Sequence, residues 1–332
     1  MPAYVHLLNV SPGDCTIIQH ASERVTMIDI CDANIEEEQR AVDATVAKAS
    51  VRGNYAMCQY PTNPISYAKV AGITSLFRFI LTHPDMDHLD GFAALAKSLP
   101  IGNFWDTGAR RPKPDFPTQG PYREADWDGY AQIRDGKTQT NSAIRRAGHR
   151  FAYANKNDDG ETGGDGLYIL TPDANLVQID KPDDDINEGS YIIVYNSIGG
   201  KVIIPGDAHD VSWEYAFEHY PGYLSPCSFL LAPHHGRDSD RSYDFLDRIQ
   251  PQLTLIGCAP SQYIDYDQWN RRNLEFITSN QAGNVVLEIY SEGINVYIEN
   301  DRFAQAKLGG PVQHWNSQGY AFIKTIKNPS TS

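Results

Sequence analysis

Four side chains that commonly ligate metals stand close together in the stretch LTHPDMDHLDG: His83, Asp85, Asp87 and His88. Imidazole nitrogens and carboxylate oxygens are donors that suit zinc and manganese in proteins. On a tight loop the alternate residues His83, Asp85 and Asp87 come together, and the adjacent Asp87 and His88 point to opposite sides of one cavity. We therefore predict a site for two metal ions. The alternative is a solvated polar loop in which an acidic residue only caps the following helix.

Two further apolar segments end in residues of the same types. Asp207 follows KVIIPG, and the pair His234 and His235 follows FLLAP. Ligands of open α/β proteins are held at the carboxyl ends of strands, so three strand ends each deliver a ligand to one place. This repetition favours the metal site over the solvated loop. No G-x-S-x-G, P-loop or G-x-G-x-x-G motif is present to indicate a serine hydrolase, a nucleotide kinase or a dinucleotide enzyme.

In order and spacing, these motifs resemble those of the metallo-β-lactamase superfamily, and more narrowly its ComEC-like branch, named for the hydrolase domain of the DNA-uptake competence protein. The resemblance rests on LLNVSPGDCTII, H-P-D-x-D-H-x-x-G, P-G-D and A-P-H-H-G, and it covers residues 1–300. It implies an α/β fold, an αβ/βα four-layer sandwich of two mixed sheets with outer helices. The implied domain spans residues 1–310, and residues 311–332 would form a mobile tail.

The resemblance also implies two divalent metal ions, Zn²⁺ first and Mn²⁺ as the alternative, with a bridging carboxylate between them. The ligands it implies are His83, Asp85 and Asp207 for one ion, and Asp87, His88, Asp207 and His234 for the other. Because consecutive side chains diverge, His235 is expected to support a ligand or to face the phosphate of a substrate. Asp87 and His235 are the expected catalytic residues, and a hydroxide held between the two ions would be the nucleophile.

Five further residues are predicted to lie around the metals or the substrate. Asp29, at the end of a strand, would support a ligand; its alternative role is a cap or hairpin residue. Asn187 takes the place of another histidine ligand of the superfamily, and Ser190 belongs to the same N-x-x-S motif. The loop CAPSQYIDYDQW lacks the histidine that ComEC-like chains often carry there. Its Asp265 and Tyr266 are predicted to bind substrate or protonate a leaving group, with a surface turn as an equal alternative.

The elements around these motifs predict two sheets. Residues 1–30 alternate apolar and polar types around Gly and Pro, which indicates three strands. A helix is predicted from Glu36 to Ser50, and the strand LFRFILT with the helix DGFAALAKSL begins a βαβ rhythm. Residues from about 104 to 165, with several prolines and a candidate helix from Tyr130 to Arg150, are interpreted as an insertion. Strands then return and end in the hairpin NVVLEIY and INVYIEN, so we expect two face-to-face sheets.

The charge distribution bears on the substrate. The whole chain carries −14, which argues against a protein that coats nucleic acid or anionic lipid with its entire surface. Residues 110–156 nevertheless hold ten basic and five acidic side chains. This basic segment predicts a lid that binds a phosphate-containing substrate, with nucleic acid as one candidate; a solvated helix face is the alternative. We expect a phosphodiesterase or nuclease. Alternatives are a hydrolase of small esters, thioesters or lactams, and a catalytically weak member that binds a protein partner of unknown kind.

The cysteines and apolar stretches bear on the compartment. The chain has five widely spaced cysteines and no C-x-x-C pair, so neither a disulfide framework nor a cysteine zinc site is expected. Apolar stretches fall short of the roughly 20 residues that cross a bilayer, and no secretory signal is evident. We therefore expect a cytoplasmic protein without a membrane span.

Overall fold

The computed structural model describes residues 2–34, 55–118, 120–156, 163–177, 186–239 and 241–329. The helix predicted from Glu36 to Ser50 lies outside these residues. Within the described ranges, no helix is both long and apolar enough to cross a membrane.

Fifteen strands are present in the described residues. In chain order they are β1 Ala3–Leu7, β2 Thr16–Gln19, β3 Val25–Ile28, β4 Leu76–Ile80, β5 Ile101–Asp106, β6 Asn141–Ile144, β7 Leu167–Thr171, β8 Ile192–Ser197, β9 Gly200–Ile204, β10 Phe229–Leu231, β11 Leu253–Ile256, β12 Phe276–Thr278, β13 Val285–Tyr290, β14 Gly293–Ile298 and β15 Ala321–Lys327.

Ten α-helices connect them over the same part of the chain. They are α1 Pro64–Val70, α2 Phe92–Ser98, α3 Glu124–Arg134, α4 Ala174–Val177, α5 Asp210–His219, α6 Pro221–Leu224, α7 Phe245–Ile249, α8 Asp267–Asn270, α9 Ser279–Ala282 and α10 Asp301–Leu308. Short 3₁₀ turns that matter below are Met86–His88, Ile186–Gly189 and Pro233–Gly236.

The strands form two mixed sheets. The first has the order β15-β14-β13-β1-β2-β3-β4-β5-β6, and the second has the order β12-β11-β10-β9-β8-β7. In the first sheet β3 to β6 run parallel, and in the second β9 to β12 run parallel. The three opening strands and the closing hairpin β13–β14 pair antiparallel, as the sequence predicts. The chain therefore contains two similar halves.

Three apolar clusters stack these sheets into layers. One lies between the sheets and joins residues such as Ile80 of β4 to Phe229 of β10. The second packs helices α2 and α3 on the outer face of the first sheet, through Leu95 and Trp127 among others. The third packs α5 and α7 on the outer face of the second sheet. The predicted fold class, an α/β four-layer sandwich of two mixed sheets with outer helices, is confirmed.

The segment interpreted as an insertion is in large part integral to the fold. Strand β5 pairs parallel with β4 and with β6, and α3 connects β5 to β6. The helix predicted from Tyr130 to Arg150 is wrong in its bounds, because α3 spans Glu124–Arg134 and β6 follows. Trp127, Tyr130 and Ile133 recur at helical spacing and bury one face of α3. The βαβ rhythm thus continues through this segment.

Two other expectations differ from the structure. Residues 321–327 do not belong to a mobile tail, because β15 pairs with β14 and buries Ala321, Ile323 and Ile326. Cys58 and Cys258, separated by 200 residues, form a disulfide. Sequence spacing did not indicate this pair because the fold alone brings its members together. The expected reducing compartment depended on the absence of such a pair and loses that support.

Candidate metal centre

The candidate centre lies where strands of both sheets end. Thr82 and His83 follow β4, Asp207 follows β9, and the turn Pro233–Gly236 follows β10. β4 runs parallel to β3 and β5, and β9 runs parallel to β10. The carboxyl ends of these strands from the two sheets meet, since Nε2 of His83 lies 3.8 Å from Oδ2 of Asp207. Asp29 follows β3 at the same edge, and its backbone N–H donates to the carbonyl of Ile80 over 2.9 Å.

Asp207 lies at the middle of the cluster. Its Oδ1 is 3.2 Å from Nε2 of His88 and 3.9 Å from Nε2 of His235, and its Oδ2 is 3.8 Å from Nε2 of His83. Asp87 approaches from the other side, with Oδ2 3.6 Å from Nε2 of His235. The ligand-type atoms of His83, His88 and Asp207 lie within 4.8 Å of one another, and so do those of Asp87, His88 and His235.

The orphaned atoms of the cluster fit metal ligation. Nε2 of His83, His88 and His235 and Oδ1 of Asp207 are buried without a hydrogen-bond partner. Such atoms cost free energy in a folded protein unless something binds them. Three imidazole nitrogens and two carboxylates converging on one space are a donor set for a divalent ion such as zinc. The residues therefore fit the metal ions that the sequence implies.

Asp29 fixes the tautomers of two histidines. Its Oδ2 accepts a hydrogen bond from Nδ1 of His88 at 2.8 Å and one from the Thr82 hydroxyl at 2.6 Å. Since the Thr82 hydroxyl gives its proton to Asp29, its oxygen accepts from Nδ1 of His83, 3.1 Å away. In their neutral forms both histidines then carry the proton on Nδ1, so that their Nε2 lone pairs face Asp207. Asp29 thus contacts His88 directly and His83 through Thr82.

Asp14 is the neighbour of His235 that sequence analysis missed. Its Oδ1 lies 3.3 Å from Nδ1 of His235, and the carboxylate is buried. The preceding Gly13 has φ +121°, and a Cβ there would lie 2.0 Å from the carbonyl oxygen of Asp87. The signal for Asp14 in the sequence is the Gly-Asp pair of the turn between β1 and β2, in which only glycine fits the backbone before the acidic residue.

The turn Pro233–Gly236 separates the two adjacent histidines. His234 has φ 51° and His235 has φ 56°, and both lie in the left-handed region, which is rare for residues other than glycine. This backbone turns His235 into the buried cluster and leaves His234 partly exposed. Such strain is often concentrated at functional sites.

His234 has surroundings unlike those of the other three histidines. Its Nε2 lies 3.6 Å from Oδ2 of Asp207, but its Nδ1 is 3.0 Å from Nη2 of Arg241 and 2.9 Å from Oγ of Ser239. A guanidinium only donates, so Nδ1 accepts and a neutral ring carries its proton on Nε2. A protonated Nε2 cannot ligate a metal. The sequence assigned His234 as ligand and His235 as support, and the contacts favour the reverse.

Asp85 also differs from its predicted place. Its carboxylate pairs with Arg111 and its Oδ1 accepts from the backbone N–H of Met86 at 2.9 Å, which caps the turn Met86–His88. Asp85 is about one-third exposed and is absent from the described groups of ligand atoms within 4.8 Å. The structure therefore places Asp85 and Arg111 beside the cluster, as an ion pair near its rim.

The remaining predicted residues lie at different distances from the chemistry. Asn187 and Ser190 are buried next to Thr82, since the N–H of Tyr191 donates to the Thr82 carbonyl at 3.0 Å. The hydroxyl of Ser190 has no hydrogen-bond partner. The N–H of Asp265 donates to the carbonyl of Gly236 at 3.1 Å, which attaches its loop to the histidine turn.

Tyr266, by contrast, faces away from that turn. Its ring stacks on Phe276 of β12 with centroids 5.9 Å apart. The structure therefore brings Asn187, Ser190 and the backbone of Asp265 near the cluster, whereas the Tyr266 ring packs elsewhere.

The buried histidines of the cluster differ in pKa, which is lowered for His83 and raised for His88 and His235. Burial, with the neighbouring His88, lowers the pKa of His83 to about 3. Burial opposes charge on His88 too, but Asp207 and Asp29 raise its pKa well above the usual range. Burial is likewise outweighed at His235, where Asp14 and Asp207 raise the pKa to about 10. Metal binding at Nε2 must displace these protons, so metal affinity is expected to rise with pH.

The basic residues of 110–156 do not form one patch. Lys113 pairs with Glu124 and Asp128, and Arg134 pairs with Asp135. Arg146 lies near the loop after β5, where a Cβ on Gly108 would be 2.8 Å from its Nη2. The remaining arginines have contacts of three kinds. Arg110 and Arg111 form ion pairs with Asp106 and Asp85. Arg123 and Arg150 donate hydrogen bonds to the Asn34 side chain and the Asn155 carbonyl, and Arg145 lies over the rings of Trp105 and Phe151.

Three solved structures align with this chain at low sequence identity. Igni18, a metallo hydrolase from the hyperthermophilic archaeon Ignicoccus hospitalis, aligns with TM-score 0.45 and 11% identity over 86% of this chain and 100% of its own. A diphosphatase of the PhnP family aligns with TM-score 0.43 and 10% identity over 87% and 98% of the two chains. Tm1679, a metal-dependent hydrolase of the β-lactamase superfamily, aligns with TM-score 0.42 and 11% identity over 83% and 95%.

Comparison with protein-family models and with curated proteins gives no match. The geometry of this chain is therefore what supports the candidate centre.

Proposed function

We propose that the protein is a metal-dependent hydrolase of the metallo-β-lactamase type, with two divalent ions in the cluster around Asp207. The observation that carries this proposal is the convergence of three unpartnered Nε2 atoms on one buried carboxylate. An isolated buried cluster of this charge would be costly, and metal ions compensate it. The order of the motifs along the chain supports the narrower ComEC-like assignment.

The ligand sets follow from the two sides of Asp207. His83 and Asp207 would hold one ion, and Asp87, His88, His235 and Asp207 would hold the other. Ions bound in this way supply an activated water and polarise the bond to be cut. Zinc suits the three imidazoles, whereas the sparse donor set of the first ion also suits manganese.

The chain's own residues orient this chemistry. Asp29 holds His83 and His88 in the tautomers that present Nε2, and the Asp14 carboxylate lies 3.3 Å from Nδ1 of His235. His234 lies beside Asp207 with its ring held by Arg241 and Ser239. Its Nε2–H is then available as a hydrogen-bond donor to an anionic substrate or to the developing negative charge.

A phosphoester is the substrate class that the surroundings favour. Arg111 and Arg241 lie beside the cluster, where they contact Asp85 and His234. Guanidinium groups recognise phosphate oxygens in a bidentate manner. Because most other cations of residues 110–156 have partners, a small phosphodiester fits better than a long nucleic acid strand. Nuclease activity and hydrolysis of a carboxylic ester, thioester or lactam are the alternatives.

Metal analysis joined to a hydrolysis screen tests the proposal. The protein purified without chelator is expected to contain close to two metal ions per chain and to hydrolyse bis(p-nitrophenyl) phosphate. Single-stranded DNA, p-nitrophenyl acetate and nitrocefin serve as the competing substrate classes. Preference for nitrocefin or the acetate would overturn the phosphoester assignment while leaving the hydrolase proposal in place.

A pair of alanine variants makes the screen specific to this centre. Asp207→Ala is expected to remove both ions and all activity. His219→Ala is the matched control, because His219 is exposed at the end of α5. A protein that holds no metal after addition of Zn²⁺ or Mn²⁺, or an Asp207→Ala variant that keeps its metal, would overturn the proposal as a whole.

A further inference from the structure

A cavity separate from the metal cluster lies beside the edge strand β6. Its volume is about 360 Å³, and it is lined by three arginines and several aromatic rings: Arg78, Arg145, Arg150, Phe77, Trp105 and Phe151 among them. None of its lining residues belongs to the cluster around Asp207. Its volume lies in the range of small-molecule sites, roughly 300 to 1,000 Å³.

Arg145 is the central cation of this cavity. Its guanidinium carbon lies 4.3 Å from the ring centroid of Phe151 and 5.5 Å from that of Trp105. Its Nε is buried and has no hydrogen-bond partner. Among the described residues, no carboxylate lies within 4.0 Å of it. Arg145 is thus a cation held by aromatic faces, with donors left over.

The other two arginines differ in how they are balanced. Nη2 of Arg78 donates to Asp165 at 2.9 Å and to the Tyr153 carbonyl at 2.7 Å, so its charge is compensated. Arg150 donates only to the backbone carbonyl of Asn155, at 3.1 Å, and its side chain is exposed at the mouth of the cavity. Two cations without a carboxylate in the described chain therefore face one space, in a protein whose net charge is −14.

We propose that this cavity binds a small phosphorylated aromatic ligand of the size of a nucleoside monophosphate. The phosphate would lie on Arg145 and Arg150, since guanidinium forks match phosphate oxygens and neither charge has a carboxylate counterion among the residues that the structure describes. The base would pack on the aromatic rings that line the cavity, Phe77, Trp105 and Phe151, since stacking is favourable for any planar base. The proposal does not depend on the activity of the metal centre.

Isothermal titration calorimetry with AMP on the metal-loaded full chain tests this site. AMP is expected to bind, and inorganic phosphate or adenosine alone to bind at least about tenfold more weakly, because each offers one half of the contacts. Arg145→Met and Arg150→Met are each expected to weaken AMP binding by about tenfold or more. Arg134→Met is the matched control, because Arg134 pairs with Asp135 outside the cavity and should leave the affinity unchanged.

The variants separate this cavity from the metal centre. Should Arg145→Met fail to fold, Arg150→Met decides the question, because Arg150 is exposed. AMP that binds both cavity variants as tightly as it binds the unaltered protein would lie at the metals or on the surface, and that result overturns the proposal. Absence of AMP binding by the unaltered protein at millimolar concentration overturns it as well.

Discussion

Asp29 Oδ2 accepts from Nδ1 of His88 at 2.8 Å and from the Thr82 hydroxyl. One carboxylate therefore sets which nitrogen of the neutral His88 ring carries the proton and, through Thr82, does the same for His83. The second oxygen, Oδ1, accepts from the backbone N–H of Thr82 at 2.7 Å. All three of these partners donate a hydrogen bond to Asp29, so its carboxylate acts only as an acceptor. Its replacement by an amide therefore has a defined consequence.

Asp29→Asn is expected to weaken metal binding by about 10-fold to 100-fold. The asparagine oxygen would take the place that accepts from Thr82 N–H, and its NH₂ would face Nδ1 of His88. That favours the His88 tautomer with the proton on Nε2, which cannot ligate. Competition of the protein with a chromogenic zinc chelator measures the change. The exposed Asp115→Asn is the control, and equal affinity in the two variants would show that Asp29 does not set the tautomer.

The adjacent histidines allow a second test. His235→Ala is expected to lose at least one metal ion per chain, because Nε2 of His235 is buried between Asp87 and Asp207. His234→Ala is expected to keep its metal content and to lower turnover, since Arg241 holds Nδ1 of His234 as an acceptor. Elemental analysis of both variants, with activity on bis(p-nitrophenyl) phosphate, distinguishes them. Greater metal loss from His234→Ala would restore the assignment made from sequence.

Much of the fold and of the candidate site was visible in the sequence because the signal was local. Alternation and apolar runs indicate the strands, and the chemistry-bearing residues follow those strands directly, as Asp207 follows β9. A residue at the carboxyl end of a parallel strand has its position fixed to within a few ångströms by the sheet. Loop LTHPDMDHLDG was therefore placed correctly at the end of β4.

What the sequence did not reveal depends on backbone conformation and on distant pairing. Which of His234 and His235 enters the cluster is decided by two left-handed φ angles, which no propensity of histidine predicts. Asp85 was assigned as a ligand, but Arg111, 26 residues away, takes its carboxylate. Prolines around residue 115 concealed that β5, α3 and β6 form one more βαβ unit. The first outcome is a backbone conformation, and the other two are long-range contacts.

Substitution of Gly13 tests the backbone beside the metal centre, and substitution of Gly72 is its matched control. Both have positive φ, +121° and +74°, but a Cβ at Gly13 meets the Asp87 carbonyl oxygen at 2.0 Å, whereas one at Gly72 meets nothing within 4 Å. Gly72→Ala is expected to lower the free energy of unfolding by about 1 kcal/mol, the cost of the conformation alone. Gly13→Ala is expected to cost about 3 kcal/mol or more, because the clash adds to it.

Urea denaturation measures both glycine variants, and metal titration adds a second readout. Displacement of Asp87 in Gly13→Ala should also reduce metal affinity, whereas Gly72→Ala should leave it unchanged. Equal losses of stability would mean that the β1–β2 turn can move away from Asp87 without cost.

Two buried histidines outside the centre predict how stability depends on pH. Burial lowers the pKa of His20 to about 3, against the opposing charge of Asp165, and lowers that of His6 to about 4. In the unfolded chain both groups have ordinary values near 6.5. Between the folded and unfolded values the unfolded state binds more protons, so these histidines make stability rise with pH through this window. Their contribution is complete above the unfolded pKa and is lost as pH falls toward the folded one.

The slope of stability against pH isolates this effect. His20→Gln preserves a hydrogen bond to the Thr26 hydroxyl, which His20 Nε2 contacts at 2.8 Å, but removes the titrating group. Between about pH 4 and about pH 6 the slope of the unfolding free energy is expected to fall by about 1.4 kcal/mol per pH unit. The exposed His219→Gln should leave the slope unchanged, because the His219 side chain is in contact with water in the folded protein. Urea titrations at several pH values give the slopes, and an unchanged slope in His20→Gln would mean that His20 is already protonated in the folded protein.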